Sequence, residues 1–165
     1  MVRSFTVLTI FLVISLQAIS QTNSTKVITF MAVVHPLITF NKNETVINFK
    51  DFYTVGFPAA INVWRNTKIG FSLEVIPYIK AQGGSSKMSN VVFHPGALIP
   101  LGKDWVFAGR LAFETSGRYG VTPVFNKIVK KNKYNNLFIA LPFPIRFGND
   151  LPPSFTVGFE IGISF

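Results

Sequence analysis

The chain contains no cysteine, two histidines and seven Asp and Glu among 165 residues, and nowhere in residues 21–165 do eighteen apolar residues run together. Each shortage excludes something. Without cysteine, a small exported scaffold stapled by disulfides is ruled out. Two histidines, without cysteine or clustered carboxylates, do not make a metal site, and neither a metal nor a cofactor is expected. Without a long apolar run, no transmembrane helix can form. His35 lies beside Pro36 and His94 beside Pro95, neither near a carboxylate in sequence, so no catalytic triad can be read from spacing and no catalytic residue is assigned.

Residues 1–20 have the grammar of an export signal. Arg3 supplies the positive end, residues 5–16 an apolar core too short to span a membrane, and Ala18-Ile19-Ser20 a small-x-small cleavage site. No cysteine follows, which excludes a lipid-anchored lipoprotein, and the mature chain is expected as one domain, residues 21–165. The scarcity of acids leaves fifteen Lys and Arg facing seven Asp and Glu once Arg3 is removed. An exported chain meets no nucleic acid, and no aromatic-basic recognition motif is present. The partners implied by the charge are anionic lipid headgroups, with residues 127–133 (Lys127, Lys130, Lys131, Lys133) as the contact.

What is abundant is alternation. In residues 154–165, Phe155, Val157, Phe159, Ile161, Ile163 and Phe165 are bulky and apolar, while Thr156, Gly158, Glu160, Gly162 and Ser164 are small or polar. That is a strand with one greasy and one wet face. The same period recurs in residues 53–64, 69–78, 90–101, 105–114 and 136–147, with turn-forming clusters between them. Residues 26–40 form a weaker first strand whose outer face is expected to carry Ile28, Phe30, Ala32, Val34, Ile38 and Phe40. Residues 121–130 form the least regular one, because Lys127 and Asn126 break both faces. The count is eight strands, with residues 41–51 and 81–89 as the long connections and residues 130–135 falling on the side of the tight turns.

High apolarity without a spanning helix points to a closed sheet in lipid, where every backbone group must be paired internally. In size, strand rhythm, export signal and terminal Phe165 the chain resembles the small eight-stranded outer-membrane β-barrels of Gram-negative bacteria, the OmpA or OmpX type. The resemblance implies an all-β, antiparallel, up-and-down transmembrane barrel in the cell outer membrane, monomeric, and recognised through its last strand by the barrel assembly machinery. Tyr53, Trp64, Tyr78, Trp105 and Phe165 would form its aromatic girdles. A soluble, lipocalin-like barrel is the competing reading, but it would hide its phenylalanines, and here the apolar face is the crowded one.

The opposite face turns Glu74, Arg110, Glu114, Arg146 and Glu160 inward, an ionic network in a lumen that eight strands leave just wide enough for side chains to fill. Glycines 56, 70, 96, 158 and 162 are expected to make room for them. The expected role is a plugged barrel with a structural or surface-binding function toward outer-membrane lipids, lipopolysaccharide or an external ligand. A small porin and a lipid-modifying enzyme are the alternatives.

Overall fold

The computed structural model describes residues 25–165 apart from 43 and 66; the expected export signal, residues 1–20, lies outside the described residues. The chain begins with the long strand β1 (Lys26–Asn41), followed by the short β2 (Thr45–Ile47), β3 (Tyr53–Gly56) and β4 (Ala59–Trp64). A hairpin of β5 (Gly70–Gln82) and β6 (Ser85–Gly102) comes next. After it run β7 (Trp105–Glu114), β8 (Tyr119–Lys131), β9 (Asn136–Pro142), β10 (Ile145–Phe147) and β11 (Ser154–Ser164). All pairings are antiparallel, and the last strand returns to the first, from Phe30↔Ser164 to Asn41↔Ser154. Among the described residues the result is a single eleven-stranded sheet closed into a ring.

Eleven strands stand where eight were expected, and proline accounts for two of the additions. β3 and β4 lie between the same neighbours, β1 and β5, and are separated by Phe57-Pro58. β9 and β10 lie between β8 and β11, separated by Phe143-Pro144. Proline has no N–H to give the ladder, yet the gaps stay bridged: Phe57 donates to the Pro77 carbonyl at 3.0 Å and Phe143 to that of Pro123 at 2.8 Å. The third addition, β2, forms inside the expected loop 41–51 and pairs with β1.

Two further expectations need correction. Residues 81–89 do not form a loop, because β5 and β6 continue to a two-residue turn, Gly83-Gly84, whose φ values of 59° and 79° are left-handed. Such turns match the twist of paired strands and favour glycine. The first strand is turned the other way: Phe30, Ala32 and Val34 are buried inside, at 8% exposure or less, while Met31 is 66% exposed. A bulge between Pro36 and Ile38 shifts the register, so only Ile38 and Phe40, beyond it, keep their expected outward face. The irregular segment 121–130 is a full strand, β8. Its bulge at Val129 leaves a connection of only residues 132–135, closed by Asn132 donating to the Asn135 carbonyl.

Elsewhere the two faces separate cleanly. Outward lie Ile61, Phe71, Leu73, Phe93, Leu111, Phe113, Phe125 and Ile161, all exposed. Inside, one apolar cluster gathers Phe30, Leu98, Val124 and Phe138 toward the end that carries Phe165, and a second gathers Val34, Ile76, Val92 and Ala112 toward the opposite mouth. Between them lies a polar layer.

Candidate functional site: the polar layer of the lumen

Period-two alternation aims every second side chain of β5 to β8 at the axis, and antiparallel pairing stacks these into levels. Glu74 faces His94 across the β5–β6 ladder, Gly96 faces Arg110 across β6–β7, and Arg110 faces Thr122 across β7–β8. Glu74, His94 and Thr122 are exposed by no more than 2%, Arg110 and Arg146 by no more than 7%. At such burial an ion is held only if its partners replace water.

Arg146, from the short β10, is the hub. Its Nε donates to Glu114 Oε1 at 2.6 Å, its Nη1 to Thr122 Oγ1 at 2.9 Å, and its Nη2 to His94 Nε2 at 3.1 Å. A guanidinium has no acceptor, so His94 Nε2 must offer its lone pair. The imidazole proton therefore sits on Nδ1, donated to Glu74 Oε2 at 2.8 Å. Glu74 Oε1 is 3.4 Å from Arg110 Nη1, and Arg110 Nη2 donates to Ser72 Oγ at 3.4 Å. At the opposite mouth Glu114 Oε2 accepts from Asn90 Nδ2 and Ser116 Oγ. One connected chain thus crosses the lumen, from Ser116 through Glu114, Arg146, His94, Glu74 and Arg110 to Ser72.

Four of the five residues expected in the ionic network are in that chain. The fifth, Glu160, is 4% exposed and makes no ion pair among the described residues. It lines a separate cavity of about 80 Å³ toward the Phe165 end, together with Arg110, Asn62 and Asn126. The glycines serve a different purpose from the one expected. A Cβ on Gly96 would lie 2.5 Å from the Gly109 carbonyl oxygen and 2.6 Å from Arg110 Cγ, so this one does admit an arginine. Gly70 instead makes room for the Trp64 ring, Gly56 for Tyr78 and Gly162 for Phe138.

Two of the girdle aromatics point inward. Trp64 packs on the lower apolar cluster and Tyr78 on the upper one, because each shares the parity of the buried residues on its strand. Tyr53, half-buried, reaches His35 Nδ1 with its hydroxyl at 3.2 Å, and its ring lies 5.2 Å from that of Phe49, tilted by 32°. Trp105 carries Lys127 Nζ 4.7 Å above its ring, and Phe165 is exposed beside β1, exchanging both backbone hydrogen bonds with Thr29. The other lysines of the basic segment sit at that same end. Lys131 Nζ is 2.5 Å from Asp104 Oδ1, Lys133 lies over Tyr134, and Lys130 is exposed.

Alternation already turns His94 inward; what the sequence does not reveal is its partner. Its carboxylate is twenty residues away and becomes a neighbour only through the ladder. Glu74, His94 and Thr122 stand in the order carboxylate, imidazole, hydroxyl, the order of a hydrolytic triad. Here Arg146 occupies Nε2 and all three are sealed from solvent, so the imidazole has no free lone pair with which to activate Thr122.

No protein-family model matches the sequence, and no curated protein does. Among solved structures, the de novo designed protein TMB2.3, determined by solution NMR, is similar over 88% of this chain and 97% of its own, with a TM-score of 0.47 and 9% identity. The ring closure described above stands on the strand pairing itself.

Proposed function

We propose that this chain is an integral outer-membrane β-barrel whose lumen is plugged by its own side chains, with a structural or surface-binding role and no enzymatic one. On this reading β2, β3 and β4, which all lie along the same edge of β1, count as one stave and β9 with β10 as another, so the ring has eight. The observation that carries it is an inside-out distribution of polarity: Phe71 and Leu111 are each 53% exposed on the outside, while Glu74 is 1% and Arg146 6% exposed within. In water such an exterior is an aggregation liability, whereas against lipid tails it is the required surface. A closed ring also leaves no sheet edge whose row of backbone groups would owe hydrogen bonds to absent water.

The orientation taken from the family resemblance puts Phe165 at the periplasmic edge. The lysines of residues 127–133 then face the inner leaflet, and their anionic partners are phospholipid headgroups rather than lipopolysaccharide. Attraction of about 1 kcal/mol per basic side chain is expected there. Replacing Lys130, Lys131 and Lys133 by Gln should weaken retention on phosphatidylglycerol vesicles at low salt, and unchanged retention would remove these lysines from the proposal.

The experiment for the whole reading is electrophoresis of protein extracted from outer membranes, with and without boiling. A folded barrel migrates differently from its heated form. Recovery in the soluble fraction with no mobility difference would end the membrane assignment.

A further inference from the structure

The mouth opposite Phe165 opens into a cavity of about 320 Å³, near the bottom of the roughly 300–1,000 Å³ typical of small-molecule sites. We propose that it binds a small amphipathic monocarboxylate, with Arg118 as the charged anchor. The inference goes beyond the structural role above and needs the closed ring, not the membrane.

The argument is one of polar accounting. The charged residues lining the cavity are Glu114, Arg118 and Arg146. Glu114 and Arg146 neutralise each other at 2.6 Å, and the remaining Glu114 oxygen already accepts from Asn90 and Ser116. Arg118 has no carboxylate within ion-pair distance among the described residues. Its Nη2 donates to two backbone carbonyls, Arg146 at 3.2 Å and Pro152 at 2.9 Å. Those bonds fix the guanidinium in place without cancelling its charge, and Nη1 is left without an acceptor among the described residues. The cavity therefore carries one unmatched positive charge on a guanidinium held in place, with Nη1 left to donate to a carboxylate oxygen. A phosphate monoester would bring nearly twice the charge that the site can match.

The rest of the wall decides the body of the ligand. Leu37 from β1, Val46 from β2, Phe52 from the loop before β3 and Pro144 from the gap before β10 supply the apolar part of the lining. Several other polar groups of the lining are already spent on one another: Thr39 with Thr156, and Asn48 on both backbone groups of Thr54. A ligand with one anionic head and a short apolar body matches both the arginine and the apolar lining.

The test is calorimetric titration of the protein in phosphatidylcholine nanodiscs with hexanoate, 1-hexanol and inorganic phosphate. Hexanoate should bind, and the alcohol and phosphate should not. Arg118→Gln should weaken hexanoate by about tenfold or more, the loss expected for one charge-assisted hydrogen bond, and Arg118→Lys should retain part of the affinity. Val46→Trp, which fills the apolar part of the lining and leaves the arginine alone, should abolish binding, and it decides the matter if Arg118→Gln does not fold. Equal binding of hexanol, phosphate binding as tight as hexanoate, or hexanoate binding indifferent to these substitutions would overturn the proposal. Failure to enter nanodiscs would count against the membrane reading instead, and the titration would then be run on protein in buffer.

Discussion

Arg146 and Arg110 were equivalent in the sequence, each an inward base on its own strand, and the structure separates them. Arg146 donates from all three nitrogens at 2.6 to 3.2 Å, whereas both Nη contacts of Arg110 are 3.4 Å long and its Nε has no partner. Removing Arg146 leaves the Glu114 carboxylate without its counter-ion, held only by the neutral donors Asn90 and Ser116, and takes from His94 Nε2 its charged partner, Thr122 Oγ1 alone remaining at 3.1 Å. We therefore expect Arg146→Ala to cost about 3–5 kcal/mol, the range for breaking a buried pair, and Arg110→Ala about 1–3 kcal/mol, that of orphaning a buried polar group. Urea unfolding of the two variants in bilayers measures the difference, and equal midpoints would show that Arg146 is not the hub. The parity of Glu74, Arg110, Glu114, Arg146 and Glu160 was legible from alternation alone. Their partners were not, because parity fixes the face of a side chain and leaves its height along the axis open.

Heights are set by bulges, which is why the elements were read better than their registers. Between Tyr78 and Ile79 the β5–β6 ladder gains one residue, Ser89, on the β6 side. A hairpin counted straight from the Gly83-Gly84 turn would set Glu74 against Phe93, an outward residue, and His94 would have no acid. The bulge at Pro36/Ile38 does the same to β1, whose apolar residues on both parities gave no contrast by which to choose a face. That strand also forms the closing seam, which makes its register testable. Met31 and Ile163 are paired across β1 and β11 and both are exposed. Because the chain has no native cysteine, Met31→Cys with Ile163→Cys should oxidise to one intramolecular disulfide, seen as a faster band without reductant. Pairing instead through Ala32→Cys with Ile163→Cys would restore the face expected from the sequence and refute the observed register.

For the molecule as a whole, a closed antiparallel sheet with its apolar side outward could be read from the repeated alternation. Its eleven-strand count could not, because proline gaps and a strand inside a loop leave no periodic trace. With apolar clusters above and below the ionic layer, buried side chains fill the middle of the lumen, so planar-bilayer recordings should show no sustained conductance. Stable nanosiemens-scale channels from the purified protein would favour the porin alternative. The long hairpin also matters for how copies meet. β6 joins β7 only from Val92 onward, so residues 85–90 present an unpaired strand edge beyond the ring. Such an edge invites another chain to zip against it. The residues placed there are Ser85, Ser86, Lys87, Met88, Ser89 and Asn90, and a second copy docking on them would have to strip water from an ammonium and three hydroxyls. The hairpin can therefore reach past the rim without becoming a seed for stacking, and chemical cross-linking at rising protein concentration should keep returning a single monomeric band.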